Sequence, residues 1–395
     1  MNLRLFVVLT SLCAGLLSAP EAGLAAKSAL KPAAPAWRPD HTVIVVLENL
    51  SAHEATQDQR AKGNAPVYGH PNWRYFNELA SKGVRFNNAH FGRTPYGSSV
   101  PTRPSQPNYL LLFAGHQQGV LANGVANNNV PDAWLPLTSP NLGAAILKTG
   151  GSFASFSESL PYPSWNCATD SRLVPCGVAR APTDDYRRKH NPVVNWTDQI
   201  APTSPRGLKG DLKHHVLPVA VNLGFEPTQD PLLKQSFRGF AKDAQGKTLR
   251  FEQLPTVSLV IPNEQHNAHS NSALSADAWL KANLGAYAEW AVKNNSLLIV
   301  TFDEDGATDT SQGDPYLTGA HRIPTIFYGA GIKPGVIEQR MDHLNVLSTV
   351  LWLHGALEVF KADFKQHYQI VNGSGVEAEK LYLNLTPLSD AFARP

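Results

Sequence analysis

Two short acidic stretches, Glu48-Asn49 and Asp303-Glu304-Asp305, each follow directly on an apolar, largely β-branched run. A third run of this kind leads into Pro262-Asn263-Glu264-Gln265-His266-Asn267-Ala268-His269. Carboxylates gathered in one cleft repel one another unless a cation neutralises them. Glu48, Asn49, Asp303 and Glu304 therefore read as oxygen ligands of a divalent ion. An oxygen-rich set favours Mg²⁺, Mn²⁺ or Ca²⁺, while the nearby imidazoles keep Zn²⁺ and Fe open. A nucleophile candidate, Ser105, stands in Thr102-Arg103-Pro104-Ser105-Gln106-Pro107-Asn108-Tyr109, ahead of the apolar Leu110-Leu111-Leu112-Phe113. This is a turn feeding a helix, whose first backbone N–H groups lack partners and attract an anion. The Ser105 hydroxyl needs activation, which a bound metal supplies. Asn108 is either a donor to a substrate oxygen or a turn residue. The cationic run Arg187-Arg188-Lys189-His190 is placed to steer an anionic substrate, with Lys189 as a binding residue.

These residues need a frame that brings distant segments to one edge. Continuous apolar runs at His41–Leu47, Thr256–Ile261, Leu297–Phe302 and Pro324–Tyr328 predict strands buried on both faces. Between them lie helical patterns: one after Ser275 as N-cap, running to Lys293, and one over Leu344–Leu357. Strands alternating with helices imply an α/β fold, a mostly parallel central sheet with helices on both faces. In such sheets ligands bind outside the carboxyl ends of the strands, where the acidic stretches fall. Residues 160–250 are Pro-rich and irregular and read as a cap insertion within a single domain spanning 41–395.

The chain has 395 residues, 43% of them hydrophobic, and a net charge of +2. That composition fits a folded globular protein and argues against broad electrostatic binding to nucleic acid, while leaving room for a local basic pocket for an anionic substrate. Residues 1–26 have the basic start, apolar run and small-residue cleavage site of a signal peptide, and 27–40 read as an Ala/Pro-rich linker. No later stretch is long and apolar enough for stable membrane insertion. Export to the periplasm or the medium follows, and in an oxidising compartment Cys167 and Cys176 are expected to pair as a disulfide. Oligomeric state leaves no mark in the sequence.

Val46-Leu47-Glu48-Asn49, Pro104-Ser105-Gln106-Pro107-Asn108-Tyr109, Lys189-His190-Asn191-Pro192, Ile261-Pro262-Asn263 with His266 and His269, and Thr301-Phe302-Asp303-Glu304 together resemble the phosphoesterase family. This is the family of bacterial and fungal acid phosphatases and phospholipases C, within the alkaline phosphatase superfamily. The motifs occur in the family's order from about His41 to Leu357. The resemblance implies an alkaline-phosphatase-like sheet and a phosphoseryl intermediate on Ser105. It implies one divalent ion held by Glu48, Asn49, Asp303 and Glu304, with Ser105 as a further ligand. It also implies catalytic roles for His190, facing the substrate phosphate, and for His266 or His269, near the leaving group or a second metal. Asn267 and Asp305 depart from the Asp and His of many relatives, which favours a single ion over a two-zinc site. The chain lacks the C-terminal extension of the larger phospholipases C, and the expectation is an exported phosphomonoesterase acting on a small phosphate ester. A phospholipase C-type phosphodiesterase is the alternative, and an exported phosphate- or metal-binding protein the non-enzymatic one.

Overall fold

The computed structural model describes residues 34–53, 66–92, 102–121, 125, 129–165, 185–198, 210–269, 271–306, 322–368 and 385–393. The expected signal peptide and the expected Cys167–Cys176 pairing lie outside the described residues. In chain order the main elements are β1 (His41–Leu47), α1 (Arg74–Lys82), β2 (Val84–Phe86), α2 (Gln106–Ala114), α3 (Leu142–Lys148), β3 (Phe153–Ser157) and β4 (Asn222–Gly224). There follow the hairpin strands β5 (Thr228–Asp230) and β6 (Gln235–Phe237), then β7 (Val257–Ile261), α4 (Ala273–Lys293), β8 (Ser296–Phe302), β9 (Thr325–Gly329), β10 (Gly335–Ile337), α5 (His343–Leu353) and α6 (Leu357–His367).

The sheet runs β10-β2-β9-β8-β1-β7-β3-β4. All neighbours are parallel except β9, which is antiparallel to both β2 and β8. The expected mostly parallel sheet is thus present, with one reversed strand near an edge. β7 and β8 are buried at every position and β1 at every position after His41. Side chains alternate between faces along a strand, so both faces of the sheet's centre are covered. Val43–Leu47 in β1 pack with Leu297–Val300 in β8 and Val257–Ile261 in β7 at the heart of the core.

Local chemistry shifts several expected boundaries. α4 begins at Ala273 with Ser272 as its cap, three residues before the expected Ser275. Both serines are competent caps, but Ser272 takes the extended conformation and its hydroxyl accepts from the Ser275 N–H at 3.3 Å. The helix expected over Leu344–Leu357 is two: α5 ends at Leu353, Gly355 turns left-handed at φ 71°, and α6 starts at Leu357. Asp342 caps α5 by accepting from Leu344 N at 2.9 Å.

Residues 160–250 are not wholly a cap, because Asn222–Gly224 is the sheet's outermost strand beside β3. The linker expected over 27–40 is packed at its described end: Trp37 stacks on Phe392 at 5.6 Å and donates to Asn295 Oδ1 at 2.6 Å. Among the described residues no helix is long and apolar enough to cross a membrane.

Candidate active site

Parallel strands present their carboxyl ends along one edge, and the site is assembled there. Glu48 follows β1, Asp303 and Glu304 follow β8, and Glu264 lies three residues past β7. Asp303 N donates to Leu47 O at 2.9 Å and Asn49 N to Asp303 Oδ1 at 3.0 Å, so the two acidic turns are stitched together. Asn49 makes the turn in the left-handed region, φ 51°, which Asn tolerates better than most residues. His343, at the start of α5, is buried and bonds through Nε2 to Phe302 O at 2.9 Å, supporting the turn that carries Asp303. Burial pushes its imidazole down to about 4, so it is a neutral donor.

Ser105 stands at the cap position of α2 and is buried with Gln106 and Asn108. Its hydroxyl donates to Glu48 Oε2 at 3.0 Å, while Tyr109, one helical turn on, donates its hydroxyl to Glu48 Oε1. His190 completes the group: it stacks on Tyr109 at 5.4 Å, with Nε2 3.4 Å from Glu48 Oε2 and Nδ1 3.6 Å from Glu264 Oε1. It lies in the turn Arg188–His190, which places Lys189 within electrostatic reach of Glu48 and Glu304.

Asn108 is committed elsewhere. Its Nδ2 donates to Thr102 O at 2.6 Å and Glu304 Oε2 at 3.3 Å, and its Oδ1 accepts from Gly92 N at 3.1 Å and from the Thr102 hydroxyl. In this placement it holds the turn around Ser105 rather than facing an open pocket. Glu304 is likewise turned towards Arg103, whose Nη1 is 3.2 Å from Glu304 Oε1 and whose Nη2 pairs with Asp305.

The electrostatics follow from this crowding. Burial, then the charge of Asp303, pushes the Glu48 carboxyl well above the usual range, against the opposing Tyr109 hydrogen bond. Asp303 is raised by burial and only partly brought back by Asn49 N and Ser105. Glu304 is pushed up to about 8 by burial and Asp303, with Arg103 opposing. His190 moves the other way: burial, then Lys189, lowers it well below its normal value, so it is neutral. Asp303 Oδ2 is fully buried and accepts no well-formed hydrogen bond, although Ser105 and Glu48 stand near it.

Of the two remaining histidines, His269 approaches the cluster indirectly, with Nδ1 3.4 Å from Glu264 Oε2. His266 is directed to Glu158 at 2.9 Å and stacks on Trp279 at 6.1 Å, and the structure does not bring it to Ser105 or Glu48. Sequence reasoning gave no role to Tyr109, Glu264, Arg103 or Glu158. The Ser105-to-Tyr109 spacing of four on one helix face was a usable signal, as was the position of Glu264 past a buried strand. Nothing marked Arg103, which reaches Glu304 across 201 residues.

Glu48, Asp303, Asn49 and the Ser105 hydroxyl are oxygen donors of the kind a hard cation takes, and Asp303 Oδ2 is buried without a hydrogen-bond partner. Among the described residues no group of three His, Cys, Asp or Glu side chains stands ready to hold an ion, and Glu304 is turned towards Arg103.

A buried serine hydroxyl at a helix start is here set against carboxyl groups at strand ends and a neutral imidazole, groups of the kind that ester hydrolases use. The phosphoesterase family model matches residues 225–356. Over 357 residues the chain is 33% identical to a phosphatidylinositol-3-phosphatase of Mycobacterium tuberculosis, covering 89% of this chain and 88% of that protein. An acid phosphatase of Aspergillus fumigatus is 23% identical over 273 residues, 68% of this chain and 45% of that protein. A solved alkaline phosphatase superfamily protein from Vibrio parahaemolyticus is 12% identical, covering 82% of this chain and 69% of that one, with a TM-score of 0.38. The chain belongs to the phosphoesterase family, and it is a phosphoric ester hydrolase.

Proposed function

We propose that the protein is an exported, metal-dependent phosphomonoesterase, acid phosphatase-like, that works through a phosphoserine on Ser105. The observation that carries this reading is the Ser105 hydroxyl donating to Glu48 Oε2 at 3.0 Å beside the imidazole of His190. Export is argued from the leader at residues 1–26. The names of the two relatives, a phosphatidylinositol-3-phosphatase and an acid phosphatase, support a phosphatase.

Glu48, Asn49, Asp303 and Ser105 would hold the cation, with Glu304 joining if it leaves Arg103. The bound ion would lower the hydroxyl pKa of Ser105 and offset charge on the phosphoryl oxygens. The remaining work falls to side chains. Glu48 accepts the Ser105 hydrogen bond and fixes its direction, and Tyr109 fixes Glu48. Lys189 draws in the anionic ester. His190, neutral and held between Glu48 and Glu264, offers an N–H to a phosphoryl or leaving oxygen. Attack by Ser105 Oγ on phosphorus expels the alcohol, and water then cleaves the phosphoserine.

The test is p-nitrophenyl phosphate hydrolysis by the mature protein after chelation and re-addition of single metals, with acid quench and mass spectrometry for phosphate on Ser105. Metal-restored turnover with a phosphorylated Ser105 peptide is expected. Turnover of diesters alone, or monoester turnover without any adduct on Ser105, would overturn it.

A further inference from the structure

Away from the carboxyl cluster, three basic residues meet with no acidic partner among the described residues. His53 follows β1 by a short turn, Arg85 is the middle residue of β2, and Arg322 lies just before β9. The backbone brings them together: Ala52 N donates to Arg322 O at 2.7 Å, and His90 bridges to Arg322 in antiparallel fashion. Tyr68 is the shared wall. The Arg85 guanidinium lies 5.3 Å from its ring centroid and the His53 ring 5.1 Å from it, while the Tyr68 hydroxyl is pinned to Thr325 O at 2.9 Å.

Three buried nitrogens here have no hydrogen-bond partner: His53 Nε2, Arg85 Nε and Arg322 Nε. Neither arginine forms an ion pair with any described residue. The nearest carboxylate influence is Glu338, which is engaged by Asn87 Nδ2 at 2.6 Å. Burial, then Arg322 and Arg85, depress the His53 imidazole, as expected for positive charge without a counter-ion. Buried donors are ordinarily satisfied, so a group of orphans around two guanidiniums marks a place for an anion.

The location supports a phosphate. Thr325, at the start of β9, pairs with Thr301 near the end of β8, so Arg322 sits on the same edge as Asp303. β2 is separated from β1 by β9 and β8, three strand spacings or roughly 14 Å. Among the described residues none of the three side chains bonds to Ser105, Glu48, Asp303 or His190, whose contacts are with one another and with their own turns. The forked N–H groups of paired arginines match phosphate oxygens.

We propose that Arg85, Arg322 and His53 form a second phosphate-binding site, distinct from the centre at Ser105, which takes either free phosphate or the phosphate of a lipid headgroup. The site does not depend on the reaction read above, and the test is made in a Ser105→Ala background in which that reaction is absent.

Binding of radiolabelled inorganic phosphate per chain is measured by equilibrium dialysis, with and without Arg85→Gln/Arg322→Gln. In parallel, sedimentation is measured with phosphatidylcholine vesicles that contain or lack phosphatidylinositol 3-phosphate. Loss of one phosphate per chain in the double variant assigns the site to free phosphate. An unchanged phosphate count with loss of the phosphoinositide-dependent sedimentation assigns it to the headgroup. No change in either overturns the proposal. If the glutamine pair fails to fold, Arg85→Lys/Arg322→Lys keeps the charge but loses the forked geometry, and about tenfold weaker binding is expected. Unchanged affinity of the lysine pair for both ligands would equally sink it.

Discussion

The two ends of the central sheet are made from the same strands yet treat polar groups in opposite ways. At the amino ends the titratable and amide groups are settled, although the Ser258 hydroxyl is not: His41 Nδ1 bonds to Pro255 O at 3.1 Å, Thr42 Oγ1 to His354 Nε2 at 2.9 Å, and Asn295 takes both Trp37 and the Asp40 N–H. Burial pushes His354 down to about 4, and a neutral imidazole facing a hydroxyl costs little. At the carboxyl ends, three buried carboxyl groups are all raised, and Asp303 Oδ2 and His190 Nε2 lack hydrogen-bond partners. A sequence selected for stability alone would not gather these groups. The unfavourable charge is confined to one edge, and the satisfied end and the apolar core hold the fold around it.

The sharpest way to break this comparison is to remove the nucleophile. Ser105→Ala is expected to cut kcat for p-nitrophenyl phosphate by on the order of 10³-fold or more, with the melting curve little changed. Residual turnover near the wild-type rate would mean that the crowded edge is not the reaction centre.

Neutralising a carboxylate comes next and is expected to move activity and stability in opposite directions. Asp303→Asn lowers kcat/KM by about 10²-fold, by loss of a ligand and of the charge beside Ser105. In chelator the same variant melts higher, by roughly 1–2 °C per kcal/mol gained in a domain of this size, because the burial of Asp303 and its repulsion of Glu48 and Glu304 are gone. A lower melting point would show that the carboxylate is already compensated.

The pH dependence gives a third, smaller effect. Glu304 titrates near 8 in the fold against its usual 4.5, so the folded state holds that proton more tightly than the unfolded chain does. Its penalty is absent below about 4.5 and grows as pH rises towards 8. In EDTA the urea midpoint should therefore fall across that window, and Glu304→Gln should flatten the decline. A saturating divalent ion should do the same for the wild type if it neutralises the site.

Much of this was legible in the chain, for identifiable reasons. Buried parallel strands write themselves as unbroken apolar runs, so β1, β7 and β8, and with them the placement of Glu48 and Asp303, could be read directly. β2 and β4 are three residues long and carry no such run, which is why an edge strand was hidden inside the expected cap. The ligand-type residues could be named, but their pairings could not. Asn108 faces Glu304 and Thr102, and His266 faces Glu158, through contacts set by tertiary packing and by no local pattern. The Arg85–Arg322–His53 group was invisible for the same reason, since its members are spread over 269 positions and meet only through β2, β9 and the turn after β1.

The smallest expected effect on activity comes from the settled end. Thr42 is fully buried in β1, and Thr42→Val keeps its shape and β-branching while removing the hydroxyl that meets His354. A buried ring nitrogen is then left without a partner, which should cost about 1–3 kcal/mol in urea unfolding. The kcat/KM for p-nitrophenyl phosphate should not change, because β1 is rigid and Glu48 is held at its far end by Ser105 and Tyr109. Asp303→Asn and Thr42→Val thus form an opposed pair, one trading activity for stability and the other losing stability alone. A drop in kcat for Thr42→Val, measured well below its unfolding midpoint, would show that the two ends of the sheet are coupled through β1.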